Sequence, residues 1–469
     1  MLFNSWQYAL FFPIVFALYW VLPHKFRVYL LLVASYYFYM SWNVKYVVLI
    51  LFTTLVSYSA ALMIHRSESQ RMKRVLLILS LVACLVVLFV FKYFNFFAGA
   101  VVDFLNMFAL HLHPMTLKLL LPVGISFYTF QTLSYVIDVY RGSVTPERNF
   151  LVYALFVSYF PQLVAGPIER TNNLLPQIKA CHDFNYGQAA YGIKLMTWGF
   201  FKKLCIADVL AVYVDKVFAD VYSFEGFALV LTVFFFTVQI YCDFSGYSDI
   251  ARGCSKMLGI DLMENFRSPY FSASIREFWS RWHISLSTWF RDYVYIPLGG
   301  NRCGKFRHSV NLMITFMISG LWHGASWNFV VWGAVHGLAQ VVENAFTRGK
   351  RQEVHGLIWA VRIVMTFVFV MMAWVFFRAE SLGEAVYVLG HMFLPVKGGR
   401  LGMDNFSKLT AGLSLLLMFM YDYISSKKDI IALVSRKNPL FRYIVYVALV
   451  TVTVLFRAAE HVEFVYFQF

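Results

Sequence analysis

SGLWHGASWNFVVWGAVHG, residues 319–337, is the stretch that decides how this chain is read. It sets His323 and His336 among three tryptophans and several small residues, with apolar segments on both sides. A titratable side chain at bilayer depth costs about 3 kcal/mol on translocon insertion scales, so its presence asks for a reason. Two reasons compete. The imidazole can bond a carbonyl of a neighbouring helix, or it can move protons in a buried reaction. The company kept by His323 elsewhere in the chain favours the second.

The 469 residues are 60% hydrophobic and 19% aromatic, only 14% are charged, and the mean hydropathy is +0.63. Apolar runs near the ~20 residues that a helix needs to cross a bilayer recur along the chain. Backbone groups in lipid must be satisfied within their own segment, and the alternation of a membrane barrel is missing, so the spans are expected to be helical. No polar stretch is long enough to build a soluble module. The expectation is an all-α polytopic membrane protein forming one domain over 1–469. Its parts are N-terminal helices (1–110), a core (117–345) and C-terminal helices (358–469). The formal charge of +15 gathers in short loops between apolar runs, as topology signals and headgroup contacts do, and does not point to nucleic acid. Cys84, Cys181, Cys205, Cys242, Cys254 and Cys303 show no paired spacing, which gives no metal site and no disulfide framework.

The first apolar run, Leu2 to Leu22, lacks a basic leader and a small-residue cleavage site and reads as a retained span. Further spans are expected at about Val28–Trp42, Tyr46–Ile64 and Val75–Phe97. The basic loops around Lys25 and around Arg66–Arg74 are placed in the cytoplasm. Later basic loops at Arg348–Arg351 and Lys427–Lys437 fall on the same side. That parity turns both termini outward, with Glu460 and Glu463 at the far end. The total is about eleven or twelve spanning or re-entrant helices.

From Leu117 the text LLLPVGISFYTFQTLSYVIDVYRG carries proline, glycine and hydroxyls inside an apolar run. Such a segment is tolerated at membrane depth only where protein surrounds it. Phe227–Tyr241 runs straight into CDFSGYSDIARG. Asp243 and Asp249 would not share a face of an unbroken helix, but a break at Gly246 would bring them together. A structural ion pair, a solvated boundary and a site wall are all open for them. Ser272 to Pro297 reads as an amphipathic helix along the membrane surface or wedged against the bundle, its aromatic stripe flanked by Arg276, Glu277, Arg281, Arg291 and Asp292. His283 sits at the edge of that stripe, where a plain anchor has no use for it. The following PLGGNRCGKFRH is Gly-rich and basic, which suits both phosphate contact and a cytoplasmic loop.

Three long motifs in order, DFSGYSDIA, ENFRSPYFSASIREFWSRWHISLSTWFRDYVYIPLGGNR and SGLWHGASWNFVVWGAVHG, resemble the membrane-bound O-acyltransferase (MBOAT) family, in its bacterial alginate O-acetylase (AlgI-like) branch. LLPVGISFYTFQTLSYVIDVYRG, FPQLVAGPIER, GFFKKLCIAD and the closing VYFQF agree, so the resemblance covers essentially the whole chain. It implies a ring of helices around a central tunnel from the cytosol and a funnel from outside, in a bacterial cell membrane. It makes His323 the family's histidine of the WHG motif and His283 the second, of the RWHIS motif. It implies acetyl-CoA as an acyl-donor substrate, with no permanently bound cofactor. The acceptor is implied to be a hydroxyl of an extracellular polysaccharide, reached through a separate extracytoplasmic acetyltransferase of the SGNH type. Peptidoglycan, cellulose and teichoic acid are alternative acceptors.

Acyl transfer to an alcohol needs the alcohol's proton removed during attack, and a histidine with ordinary pKa near ~6.5 suits that task. His283 or an amide near Gly324 could stabilise the oxyanion. Trp322 and Trp327 are candidate walls of the tunnel, with Asp243, Asp249, Arg281 and Asp292 as further candidates. Arg302 and Lys305, with Lys202 and Lys203, are candidates for the phosphates of CoA. A covalent route through Ser319 or Ser326 ranks below direct transfer, because no third orienting group is visible. From another class, a polysaccharide or lipid-carrier transporter would also carry intramembrane charges, but the chain lacks repeat symmetry.

Overall fold

Caps and breaks cut the apolar text into helices. The computed structural model describes residues 1–347, 355–395, 401–458, 462, 464 and 465. Arg348–Arg351, Glu460, Glu463 and all of the closing VYFQF but Val465 lie outside the described residues. Among the described residues there is no strand. Four helical stretches among the described residues are long and apolar enough to cross a membrane: Val44–Arg66, Gln70–Asn106, Phe227–Met257 and Gly356–Arg378. Trp6–Val21 and Pro439–Leu455 are shorter apolar helices. The chain separates into two units, residues 1–193 with 251–263, and residues 194–250 with 264–469.

The first unit opens with α1 (Trp6–Val21), capped by the Ser5 hydroxyl on the Tyr8 amide, then α2 (His24–Met40) and α3 (Val47–Arg66). The expected fourth span is α4 (Gln70–Leu88), which passes through a π-turn at Phe89–Tyr93 into α5 (Phe94–Asn106). The proline and glycine after Leu117 end the extended approach to α6 (Ile125–Tyr140). Gly124 takes φ +76, and a Cβ there would lie 2.6 Å from the Leu163 carbonyl oxygen. Every residue from Ile125 to Val136 is buried, so the hydroxyl-rich face is enclosed by protein. What reads as one run over Phe150–Ala165 is α7 (Phe150–Ser158) and α8 (Phe160–Leu163), broken at Tyr159. Next come α9 (Thr171–Lys179) and α10 (Tyr186–Phe201), the latter extending into the second unit. Polar groups of this unit find partners in its interior: Ser57 Oγ and Tyr153 Oη are 2.7 Å apart, and the Gln131 amide donates to the Phe156 carbonyl at 2.8 Å.

In the second unit α10 ends in a π-turn, Lys202–Ala207, that leads to α11 (Asp208–Phe218). Then α12 runs unbroken from Phe227 to Met257. Gly246 therefore does not break the helix, contrary to the expectation from sequence. It serves close approach instead: a Cβ at Gly246 would lie 2.8 Å from the Gly199 carbonyl oxygen, and one at Gly199 would lie 2.7 Å from that of Gly246. Asp243 and Asp249 are not brought together either. Lys202 Nζ lies 2.7 Å from Asp249 Oδ2, and Lys203 Nζ lies 2.8 Å from Asp243 Oδ1 and 2.7 Å from Asp208 Oδ1. The π-turn places two consecutive lysines against different acids.

The stretch Ser272–Pro297 is two helices rather than one. Ser274 caps α13 (Ile275–Arg281) by accepting from the Glu277 amide, and Glu277 returns the bond to the Ala273 amide. The chain then turns at His283 into α14 (Ile284–Phe290) and a π-turn at Arg291–Tyr295. Ile275, Phe278, Trp279, Trp282, Leu286, Trp289 and Phe290 are all buried, so the stripe packs into protein and does not lie open along a surface.

A helical hairpin follows, α15 (Lys305–His323) and α16 (Trp327–Thr347). Its two arms touch through glycine. The space where a Cβ of Gly320 would sit is held by the Phe329 carbonyl oxygen, and that of Gly333 by the Phe316 carbonyl oxygen. Small residues permit such approach where lipid supplies no hydrophobic drive between helices. The remaining elements are α17 (Gly356–Arg378), α18 (Leu382–His391), α19 (Asn405–Ser425), α20 (Ile430–Ser435) and α21 (Pro439–Leu455).

Gly333→Val should lower stability by about 3 kcal/mol, as overpacking does, visible as an earlier thermal transition in detergent. Gly412→Ala, in open space on α19, should hold or raise it by about 0.5–1 kcal/mol. Lys203→Met would leave Asp243 and Asp208 buried without their cation and should cost about 3–5 kcal/mol in the same measurement.

Candidate active site

His323 is the last residue of α15, and its ring is buried. Gly324 follows in an extended conformation with the Phe329 ring where a Cβ would be, which fixes the turn toward α16. Around the imidazole stand Trp322 at 5.0 Å, Trp332 at 5.1 Å and Phe377 at 5.3 Å between ring centroids, all near edge-on. Trp332 and Phe377 were not singled out from sequence. Trp322 is buried, whereas Trp327 opens α16 with 56% of its surface exposed.

His283 is fully buried, and its ring centroid lies 6.4 Å from that of His323. Its ring also meets Phe244 edge-on at 4.6 Å and Trp322 at 6.1 Å. Two histidines forty positions apart in the chain thus share one aromatic enclosure. His283 has φ 42° and ψ 54°, the left-handed region that costs a side chain about 1 kcal/mol or more. His336 has a different place. Its Nδ1 accepts from Trp279 Nε1 at 3.3 Å, and its ring stacks near parallel on Phe278 at 6.3 Å. It locks an interior tryptophan.

A cavity of about 630 Å³ is lined by residues next to both histidines in the chain, although neither imidazole lines it. Ser319, one turn before His323, lines it, as do Ile284, Ser287 and Thr288 just after His283. Its lining includes the cations Arg276 and Arg291 and the side chain of His308; its apolar wall includes Trp279 and Phe316. Sequence reasoning recognised Arg276 and Arg291 only as a charged flank. Asn344 accepts from Arg276, and the Glu343 carboxylate accepts from the Ile275 amide at 2.8 Å. Both acceptors sit on α16, and Asn344 lines the cavity, with no signal in the local sequence to connect them to α13.

The other candidates are placed elsewhere. Arg281 pairs with Glu277 at 2.6 Å along α13, and Asp292 pairs with Arg291 at 2.8 Å. Arg302 and Lys305 are exposed in the glycine turn and at the start of α15, outside the cavity lining. In that turn Gly299 and Gly300 adopt φ +113 and +55, and the Gly300 carbonyl accepts from Asn311 at 3.2 Å, so the loop has a defined fold. Lys202 and Lys203 spend their charge on the buried acids already described. The Val465 amide donates to Asp243 Oδ2 at 2.7 Å, which ties the end of the described chain to α12.

The motifs that build this enclosure recur in known proteins. Residues 147–382 match the model of the membrane-bound O-acyltransferase family. The probable alginate O-acetylase AlgI of Pseudomonas putida is 42% identical over 390 residues, covering 82% of this chain and 78% of that protein. The peptidoglycan O-acetyltransferase of Helicobacter pylori is 38% identical over 388 residues, covering 77% and 73%. The teichoic acid D-alanyltransferase of Streptococcus thermophilus is 30% identical over 249 residues, covering 50% and 60%. Relatives named for different polymers thus match half or more of this chain, and none of these three is named as a transporter. The chain belongs to the membrane-bound O-acyltransferase family and is a multi-pass membrane acyltransferase.

Proposed function

We propose that the protein moves an acetyl group from cytosolic acetyl-CoA to a hydroxyl on the far side of the membrane, for O-acetylation of an alginate-like extracellular polysaccharide. The observation that carries this reading is the pair of buried imidazoles, 6.4 Å apart, each next in the chain to residues lining a cavity that also takes in Arg276 and Arg291. His323 takes the proton of the acceptor hydroxyl as its oxygen attacks the thioester carbonyl. His283 donates a hydrogen bond to the oxyanion, the negative charge that develops there. Collapse of the tetrahedral intermediate expels the CoA thiolate, and the imidazolium of His323 returns the proton to it. No proton is left over. Arg276 and Arg291 are the cations best placed to meet a phosphorylated donor in the cavity, with the His308 side chain beside them in the lining. Arg302 and Lys305 serve the approach outside it. Ser319 lines the donor's path and forms no acyl intermediate. By charge parity both termini face outward, and an extracytoplasmic acetyltransferase of SGNH type takes the acetyl group onward.

Acceptor choice follows the relative of higher identity, the alginate enzyme, over the peptidoglycan enzyme. In proteoliposomes, His323→Ala should slow consumption of radiolabelled acetyl-CoA by at least about 100-fold. Consumption at the wild-type rate would overturn the assignment. In cells, the same substitution should remove acetyl from the secreted polysaccharide as read by mass spectrometry. Loss from peptidoglycan alone would overturn the acceptor.

A further inference from the structure

His283 stands in a backbone conformation that its own sequence does not favour, so its surroundings must hold it there. The residue that does so is Asn265. Its main-chain carbonyl accepts from the Ile284 amide at 2.9 Å. Its side-chain Oδ1 accepts from the Ser285 hydroxyl at 2.6 Å and from the Ser285 amide at 3.3 Å. Its Nδ2 donates to Ser248 Oγ on α12 at 3.2 Å. Two residues on, the Arg267 amide donates to the Arg281 carbonyl at 2.9 Å. The segment 265–267 therefore grips the chain on both sides of Trp282–His283. Asn265, His283 and Ser285 are wholly buried and Ser248 is nearly so, which leaves no water to substitute for these bonds.

We infer that Asn265 is a positioning residue for the acyl-transfer step, aiming the imidazole of His283 through the backbone of residues 284–285. The inference rests on the proposed function and adds to it a residue that touches neither donor nor acceptor. Asn265 offers two acceptors to the start of α14 and a donor to α12. Oxyanion donors work over a narrow range of distance, and a misplacement of about 1 Å costs on the order of 100-fold in rate. Neither Asn265 nor Ser248 lines the cavity.

The test is steady-state acetyl-CoA consumption by the full chain in proteoliposomes, for Asn265→Leu, Asn265→Asp and Ser285→Ala. Asn265→Leu, close to isosteric, should lower kcat by about 10–100-fold with KM for acetyl-CoA within about twofold. Asn265→Asp keeps the acceptors for Ser285 and can accept from the Ser248 hydroxyl, so it should recover to within about fivefold of wild type. Ser285→Ala, which removes one bond and little volume, should fall between, and it carries the test if Asn265→Leu does not fold. Equal losses in the Asp and Leu variants, or a loss expressed in KM, would overturn the positioning role. So would wild-type kcat in Ser285→Ala and Asn265→Leu. A wild-type protein that consumes no acetyl-CoA would instead defeat the functional reading on which the inference stands.

Discussion

How closely α15 and α16 run beside each other governs the centre of the second unit. The carbonyl oxygens of Phe329 and Phe316 stand where side chains at 320 and 333 would be, so no residue but glycine fits either position. Lipid tails give apolar helices no reason to associate, and contact must come from fit. The fit here has a chemical consequence. It draws the turn after His323 so tight that Gly324 lies against the Phe329 ring, which brings the Trp332 and Phe377 edges onto the imidazole. Loosening the hairpin by one methyl group would open the enclosure before it unfolded anything.

The orientation of each buried ring has a backbone component. The two histidines receive it differently. His323 inherits its direction from a long helix and a glycine turn. His283 sits between two seven-residue helices, too short to define a direction alone, and is held by the segment 265–267. Such a division leaves one group fixed by packing and the other by hydrogen bonds. A site of this kind tolerates changes of volume poorly near 323 and changes of polarity poorly near 283.

Much of this was legible in the sequence. The apolar runs located the helices, and the motifs around 283 and 323 identified two residues that the fold brings into one enclosure. The helical spacing of Ile275 through Tyr293 concealed the break at His283, because a left-handed histidine carries no local signal comparable to a glycine. A capping box at Ser274 and Glu277 did mark where α13 starts, but nothing marks its end. Gly246 was misread for the opposite reason. Glycine in a helix can signal a break or a crossing, and only the partner, Gly199, distinguishes them. The pairing of Lys202 and Lys203 with separate acids follows from their being consecutive, since neighbours in a helical turn point to different sides, and here they open a π-turn.

That pairing bears on the chemistry. Charges buried in a membrane protein suggest a pathway for ions or protons, and this unit holds Lys202, Lys203, Asp208, Asp243, Asp249 and Asp422 in its interior. Transfer of an acyl group from a thioester to an alcohol neither releases nor takes up a proton overall, since the hydrogen lost by the alcohol leaves with the thiol. One base that accepts and returns it is sufficient. The lysines and acids are therefore free to act as ties between helices: α12 is bound to the π-turn through Asp243 and Asp249, and to α19 through the Tyr241 hydroxyl on Asp422 at 2.6 Å. Charged groups here face one another, as they must in a dry interior, where a buried charge without its partner is costly.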